Sequence, residues 1–414
     1  MIRAATQFFT RLPRWVPKDN VWRGGGCCTG SLNLLRQRHP LPQIDKRIKF
    51  YDYVVVNEDG KPDESIKLDI RGRPLPGQAP VNGRKIVNHR YFVDGQAMRE
   101  SLTSFIKRFH KDFDEQEHSI RLACESKPGS IYYGKTAEEI KEMWAQNRDN
   151  GTRMHEFLEL FYNDMHDPDD PRAQQQEFTN FLQFQEEFVE ANDLVPFRTE
   201  LRNFLEGDDC RLTDNMCGTA DMLYIRRADI GHPTRGSNVI VVDWKFLNTM
   251  YTNAFRNKVT GLDEMCLAPF DDLPDVNLFH YYIQLNGYRY MLEQRTSLHV
   301  TEMYVVDFGK SNPSYRIYAV PDLQEQIRLA VLVRKEQLFE SYKVSRKRAL
   351  ADLEQATREV ATNNRVEECV KRIVDLEKGF APLVDALERE HHKKMRKDMG
   401  ISGQTEIRDF FRPK

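Results

Sequence analysis

The stretch Val239-Ile-Val-Val-Asp243-Trp244-Lys245-Phe246 decides the fold of this chain. Side chains on a strand point alternately to opposite faces, so Asp243 and Lys245 share one face while Trp244 and Phe246 share the other. The rest of the stretch is apolar on both faces, which is typical of a strand buried inside a sheet. A carboxylate and an ammonium group at the end of such a strand are costly unless a partner compensates them. A structural ion pair and a functional site both meet that need, and Asp-x-Lys alone favours the ion pair.

A second carboxylate lies on the preceding predicted strand, in Gly218-Thr-Ala-Asp221. A turn rich in glycine and proline separates the two strands, so a hairpin can bring Asp221 beside Asp243. Converging carboxylates repel each other unless one is protonated or a cation lies between them. Oxygen ligands suit Mg²⁺ or Mn²⁺. The two strands therefore predict a divalent metal site, with Lys245 supplying a positive charge next to it.

Two helical motifs flank these strands in the sequence, Gly151-Thr-Arg-Met-His155 before them and Gln284-Leu-Asn-Gly-Tyr288 after them. Residues four apart on a helix share a face, so Gln284 and Tyr288 can point at one site. In isolation, a histidine on a polar helix face or a packed Gln and Tyr pair is the commoner interpretation. Glu200, on the strand before Asp221, is a weaker candidate because glutamates on strands are frequent.

In this order the four motifs resemble the RecB-like branch of the PD-(D/E)XK nuclease superfamily, over about residues 136–345. The region from about residue 89 to 150 also looks like the leader segments of RecB-like nucleases from large DNA viruses and some eukaryotes. The resemblance implies an α/β (α+β) fold with a restriction-endonuclease-like core, in which helices flank a mixed central β-sheet. We expect an N-terminal β-rich extension and a C-terminal helical extension around this core.

The resemblance also implies an activity, the hydrolysis of DNA phosphodiester bonds, and assigns roles to residues. The metal ligands would be His155, Asp221 and Asp243, and the cofactor Mg²⁺ or Mn²⁺. The catalytic residues would be Asp221, Asp243, Lys245, Gln284 and Tyr288, with Glu200 as an accessory candidate. The enzyme would be a deoxyribonuclease, most simply an exonuclease, in replication, recombination or repair.

The cysteines argue against an iron–sulfur cluster and against a disulfide framework. Several relatives bind a cluster through one cysteine before the core and three after it, whereas only Cys369 follows Cys266 in this chain. The seven cysteines include no Cys-x-x-Cys pair. We therefore expect no cluster, no zinc ribbon, and reduced thiols in an intracellular protein.

The tail Gln404-Thr-Glu-Ile407-Arg-Asp-Phe410-Phe411 resembles a PIP box, the peptide that docks on the sliding clamp PCNA. One helical turn would place Ile407, Phe410 and Phe411 together as an apolar plug, with Gln404 in a side pocket. The alternative is a terminal aromatic pair that folds back onto its own domain. A clamp partner would place the protein in the nucleus or at a viral replication site.

The formal net charge of −2 requires that any DNA contact come from a local basic groove rather than from the whole protein. No run of eighteen apolar residues is present, so no membrane-spanning helix is expected. The predicted domains are a basic arm or targeting segment at 1–45, the β-rich then helical extension at 46–135, the nuclease core at 136–345, a charged helical extension at 346–399 and the tail at 400–414.

Two other functions stay open at this point. A nuclease-fold scaffold without activity would bind DNA and the clamp, although the Asp221, Asp243 and Lys245 set argues against it. A mitochondrial genome-maintenance exonuclease would account for the first eighteen residues, which carry basic and aromatic side chains but no acid.

Within the core, Thr136 and Glu139 predict a capping box that opens a helix running towards Gly151. A second helix is expected to begin near Gly151 and to bury Met154 and Phe157 on one apolar face. The other predicted elements are a helix at about 174–191, strands at 195–205, 216–227 and 238–246, a helix at 278–293, strands at 299–308 and 315–320, and a helix from 323.

Overall fold

The computed structural model describes residues 14–16, 21–23, 47–68, 74, 85–98, 100–111, 114–163, 166–167, 169–205, 216–257, 260–358, 365–377 and 379. The proposed clamp-binding residues Gln404, Ile407, Phe410 and Phe411 lie outside these ranges, as does most of the basic arm. None of the described helices combines the length and the apolar character needed to cross a membrane.

The strands in the described ranges are β1 (Arg14–Val16), β2 (Val21–Arg23), β3 (Ile48–Val56), β4 (Pro62–Asp63), β5 (Lys85–Val93), β6 (Gln96–Ala97), β7 (Glu100–Ser101), β8 (Leu194–Leu205), β9 (Met216–Arg226), β10 (Asn238–Lys245), β11 (His299–Asp307) and β12 (Arg316–Ala319). The α-helices are α1 (Leu102–Ile106), α2 (Glu115–Glu125), α3 (Ala137–Tyr162), α4 (Gln176–Phe184), α5 (Asn277–Arg295) and α6 (Gln324–Arg358). A π-helix, Gln185–Glu190, continues α4.

The chain is mixed α/β, built on a sheet in which β12, β11, β10, β9 and β7 follow one another and β8 pairs with β9. Strands β10 and β11 are parallel, as are β7 and β9, while β9 pairs antiparallel with both β8 and β10. The prediction of a mixed central sheet with helices around it is confirmed at this level. A second sheet, antiparallel and in the order β4-β3-β5-β6, lies within the region for which a β-rich N-terminal extension is expected.

Strand β10 has one fully apolar face, as its alternation predicts. Ile240, Val242 and Trp244 are buried in the main core together with residues of α3 and α4. The Trp244 ring stacks on Tyr162 of α3, with the ring centroids 5.7 Å apart. This packing fixes which way β10 faces, and it turns Asp243 and Lys245 to the opposite side of the sheet.

Helix α3 begins as predicted but does not end where predicted. Thr136 is the N-cap, its hydroxyl accepts from Glu139 N at 3.2 Å, and the Glu139 carboxylate accepts from Thr136 N at 2.7 Å. The prediction of a break near Gly151 is wrong, because one helix of 26 residues passes through it. A glycine inside a helix costs only about 1 kcal/mol. Buried side chains on both sides of it, such as Ile140 and Met154, outweigh that cost.

The chain divides into two compact units. The first comprises Met1–Leu205 and Met216–Leu329, and the second Glu206–Asn215 and Ala330–Lys414. The first unit carries the central sheet and the seven predicted site residues from His155 to Tyr288, Glu200 included. In the second unit, residues 365–377 are helical and Arg346 forms an ion pair with Glu377 at 2.8 Å.

Candidate metal centre and catalytic residues

Strands β9 and β10 bring Asp221 and Asp243 to the same level of the sheet. Val242 pairs with Met222, so the two aspartates stand one position further along their strands. The next backbone donor, Trp244 N–H, donates to Asp221 Oδ2 at 2.7 Å instead of to a carbonyl of β9. Further along, β9 pairs with β7 at Cys217. The site therefore lies where β10 leaves β9, at an interruption of the backbone ladder.

His155 reaches this point from α3. Its Nδ1 lies 3.5 Å from Asp221 Oδ2, and its ring packs edge-on against Phe246 with centroids 5.3 Å apart. The buried neighbours Met154 and Phe157 set the rotation of the helix. Burial, helped by the charge of Lys245, lowers the pKa of His155 to about 4. The imidazole is thus neutral at pH 7 and offers a lone pair to a metal ion.

Glu200 lies on β8, between two residues that pair with the neighbours of Asp221 on β9. Its φ of +46° is in the left-handed region, which costs a residue with a side chain roughly 1–2 kcal/mol. Each of His155, Glu200 and Asp221 offers one ligand atom, and these atoms lie within 4.8 Å of one another. The structure thus brings the accessory candidate Glu200 into one group of donors with His155 and Asp221, and backbone strain accompanies its placement.

Asp243 is held by the catalytic-lysine candidate. Lys245 Nζ lies 2.5 Å from Asp243 Oδ2 and 4.5 Å from the centroid of the Tyr281 ring. Burial raises the pKa of Asp243 to about 6, against the opposing effect of the lysine charge. Burial lowers the pKa of Lys245, but the carboxylates of Asp243 and Asp221 outweigh it and raise that pKa above its usual value. Lys245 therefore keeps its positive charge.

Several carboxyl groups at the site are harder to ionise than in water. Burial raises the pKa of Asp221, although Lys245 and the Trp244 N–H oppose it. Burial and then the charges of Asp221 and Glu159 raise the pKa of Glu200 well above its usual value. A bound cation would stabilise the ionised form of each of these carboxyl groups. Two carboxylates and a neutral imidazole form a donor set that fits Mg²⁺ or Mn²⁺, so the residues present fit the implied metal.

Gln284 and Tyr288 point to the same site from α5. Gln284 Nε2 donates to Tyr288 Oη at 2.9 Å. Burial, followed by the charges of Asp243 and Asp221, raises the pKa of Tyr288 well above its usual value, so the phenol keeps its proton. The Tyr288 ring lies on the bare backbone of Gly218, where an added Cβ would be 2.7 Å from Cε1. The glycine of Gly-x-x-Asp therefore makes room for this tyrosine.

Replacing Gly218 with alanine is expected to lower the free energy of unfolding by about 1–3 kcal/mol, because the new methyl group overpacks against a buried ring. Gly151→Ala is the matched control. A Cβ at Gly151 meets no atom within 4 Å, and alanine favours a helix, so this variant should gain up to about 1 kcal/mol. Urea denaturation of both variants checks the pair. Equal midpoints for Gly218→Ala and the parent would contradict the close approach of Tyr288.

The sequence analysis missed two residues of the site. Glu159 lies one helical turn after His155, and burial raises its pKa too. Tyr281 lies three residues before Gln284 and provides the ring beneath Lys245. Helical spacing from a motif residue was the available signal for both. Asp243, predicted to be a metal ligand, lies against Lys245 and outside the group of His155, Glu200 and Asp221.

Comparisons with known proteins leave the family open. No protein-family profile matches the chain, and no curated protein matches it. A solved structure titled "Crystal structure of SSO0001" is similar over 58% of this chain and 74% of its own, with 14% sequence identity and a TM-score of 0.25. A TM-score of this size supports no statement about fold or function, which rest on the chain's own geometry.

Proposed function

We propose that this chain is a divalent-metal-dependent deoxyribonuclease with a RecB-like, restriction-endonuclease-like PD-(D/E)XK core. The observation that carries the proposal is that a set of possible metal ligands and a lysine–aspartate pair lie together where the backbone hydrogen bonds between β9 and β10 are interrupted. The donors of His155, Glu200 and Asp221 converge there, and a buried, charged Lys245 stands beside Asp243. A structural ion pair alone gives no reason for a third carboxylate and a neutral imidazole at the same place.

Each residue has a role in hydrolysis of a phosphodiester with displacement of its 3′-oxygen. His155, Glu200 and Asp221 would hold the divalent cation, with Asp243 close by. When bound, such an ion stabilises negative charge on the phosphate and lowers the pKa of water. Lys245 places a fixed positive charge where negative charge develops, which accelerates the reaction without reorganisation.

The surrounding residues position these groups. Asp243 and the Tyr281 ring fix Lys245 Nζ from two sides. Gln284 donates to Tyr288 Oη, so the phenol O–H is left as a donor for a substrate oxygen or a carboxylate. Trp244 N–H orients Asp221 through a bond that the strand backbone supplies. Substrate orientation would thus depend on α5, and metal binding on α3, β8 and β9.

The purified full chain is expected to shorten DNA when Mg²⁺ or Mn²⁺ is present and to lose this activity in EDTA. The experiment uses end-labelled single-stranded and duplex DNA, each with free and with blocked ends. Digestion of free ends only identifies an exonuclease, and the position of the surviving label gives its polarity. DNA binding without any cleavage in either metal would overturn the proposal in favour of an inactive scaffold.

We also propose that the tail tethers this nuclease to a PCNA-type sliding clamp. The support is the spacing of Gln404, Ile407, Phe410 and Phe411 in the sequence. Aromatic residues in a short motif of this kind serve as anchors in a hydrophobic groove. A tether of this sort would connect the enzyme to replication, recombination or repair.

Phe410→Ala combined with Phe411→Ala is expected to weaken binding of the full chain to the clamp at least about 30-fold, because each anchor residue contributes about 2 kcal/mol or more. Thr405→Ala with Asp409→Ala, at two positions between the anchors, is the matched control and should bind like the parent. Isothermal titration against purified clamp measures both. Cleavage of free DNA should stay at the parental rate. Parental clamp affinity in the phenylalanine variant would refute the tether.

A further inference from the structure

A second group of convergent ligand atoms lies apart from the catalytic residues. His110, Asp275 and His280 each offer one such atom, and these atoms lie within 4.8 Å of one another. His110 follows the short 3-10 helix Lys107–Phe109, Asp275 lies just before α5, and His280 is in the first turn of α5. Two separate segments of the backbone therefore converge, and all three side chains are partly exposed to solvent.

Asp275 and His280 are already joined by a hydrogen bond. His280 Nε2 lies 2.7 Å from Asp275 Oδ1. Tetrahedral ligands each about 2.0–2.2 Å from a zinc ion are separated by roughly 3.3–3.6 Å, so the two atoms would move apart by less than about 1 Å on metal binding. The other carboxylate oxygen, Oδ2, accepts from Lys111 N at 3.0 Å, which orients the group. A metal ion would take the place of the proton that His280 and Asp275 now share.

His110 presents its free lone pair through Nε2. Its Nδ1 lies 3.1 Å from the carbonyl oxygen of Lys111. A carbonyl only accepts hydrogen bonds, so Nδ1 carries a proton, and in the neutral tautomer with this bond Nε2 is the nitrogen that can bind a metal ion. Metal-binding histidines characteristically donate their second ring N–H to a carbonyl or carboxylate in this way.

The two imidazoles lie face to face. Their rings stack with centroids 4.2 Å apart and an angle of 20° between their planes. Burial, and next the proximity of His110, lower the pKa of His280, although its bond to Asp275 opposes the shift. Neutral histidine is the form that binds metal ions.

We propose that His110, Asp275 and His280 form a second metal site, selective for a Zn²⁺-like ion. Two imidazole nitrogens and one carboxylate oxygen suit zinc, whereas the oxygen-rich catalytic centre suits Mg²⁺. Three protein ligands leave a fourth position for water or for a side chain. This site does not depend on the proposed nuclease activity.

The site would join the segment that follows the 3-10 helix Lys107–Phe109 to the start of α5. Leu267 N of the connection between β10 and α5 donates to Phe109 O at 2.6 Å, and the Phe109 and Phe270 rings meet edge to face at 5.3 Å. A zinc ion would fix the His110 segment to the helix that carries Tyr281, Gln284 and Tyr288. Its expected role is therefore to hold the helix in place rather than to take part in the chemistry.

The test is a titration of the metal-free full chain with Zn²⁺ and Co²⁺ in excess Mg²⁺, in an Asp221→Asn background that weakens the catalytic centre. We expect one equivalent of Zn²⁺ with a Kd of about 1 µM or below, and visible Co²⁺ absorption at the same stoichiometry. His110→Ala and His280→Ala should each weaken binding at least about tenfold. His299→Ala, a histidine paired with Glu293 outside the cluster, is the matched control and should bind like its background.

Asp275→Asn covers the case in which the alanine variants do not fold, since it keeps the shape of the side chain and an acceptor for Lys111 N. It should fold and also lose zinc affinity at least about tenfold. Absence of a zinc equivalent in the Asp221→Asn protein, or parental affinity in His280→Ala or Asp275→Asn, would overturn the proposal. Because the experiment measures zinc binding and not DNA cleavage, its result shows whether this second metal site exists and leaves the nuclease proposal to its own test.

Discussion

Lys245→Met and Asp221→Asn, made separately, are each expected to slow DNA cleavage at least about 10²–10³-fold. Lys245→Met keeps the length of the side chain but removes the positive charge beside Asp243, and removal of one preorganised charge-stabilising group has an effect of this size. Asp221→Asn keeps the shape but halves the number of carboxylates among His155, Glu200 and Asp221. Single-turnover cleavage of labelled DNA at saturating Mg²⁺ measures both rates.

The control for these variants is Glu302→Gln. Glu302 lies on β11 of the same sheet, where it forms an ion pair with Arg226 at 2.5 Å and is partly exposed. Loss of such a pair costs at most about 1 kcal/mol and should leave the cleavage rate unchanged. Urea denaturation establishes that each variant folds. Parental cleavage by folded Lys245→Met or Asp221→Asn protein would remove these residues from the active site.

The second prediction concerns the stability of the metal-free protein as the pH rises. The pKa of Asp243 is raised from 3.8 to about 6 by burial. The folded state therefore binds this proton more tightly than the unfolded state, so stability is retained below pH 4 and lost as the pH rises to about 6. The shift corresponds to about 3 kcal/mol. Glu200 and Asp221, whose pKa values are also raised, act in the same direction.

Other groups titrate in the same range, so the expected result is a difference between two proteins. The pKa of His155 is lowered to about 4, and this residue therefore adds stability as the pH rises. Asp243→Asn removes one carboxyl and retains the histidine. In EDTA, the free energy of unfolding of the parent should fall relative to this variant between pH 4 and pH 7. An unchanged or rising difference would contradict the buried, proton-holding carboxyl.

A bound divalent ion should restore the free energy of unfolding that the metal-free protein loses as the pH rises. An ion that binds only the folded state stabilises it, by about 2.7 kcal/mol when its concentration is 100 times its Kd. The gain should be small at pH 4, where protons compete for the carboxyls, and large at pH 8. Urea denaturation with Mg²⁺ and with EDTA at both pH values gives the comparison. A Mg²⁺ effect of equal size at both pH values would argue against ligation by Asp221 and Glu200.

Local sequence determined the elements that carry the site. The alternation in β10 separates Asp243 and Lys245 from Trp244 and Phe246, since the strand period of two is a property of the backbone. The capping box of Thr136 and Glu139 and the four-residue spacing of Gln284 and Tyr288 are equally local. These features depend on residues within one turn or one strand, so they can be read without knowledge of the fold.

Packing decided where α3 ends. Gly151 is a poor helix residue, and its low local preference predicted a boundary. In the fold, buried contacts on both sides of the glycine contribute more than the glycine costs, as Ile140 and Met154 illustrate. Tertiary burial overrides local propensity in such cases because a helix gains most of its stability from its apolar face.

Only the tertiary structure brought distant side chains into contact. Glu200 joins His155 and Asp221 through the pairing of β8 with β9. Its backbone adopts a left-handed conformation that could not be predicted from the neighbouring residues. Tyr281 reaches Lys245 because of how α5 lies on the sheet. Pairing register and helix placement depend on the whole core rather than on neighbouring residues. The sequence by itself therefore specified Asp221, Asp243 and Lys245 as candidates, and the fold decided which neighbours surround them.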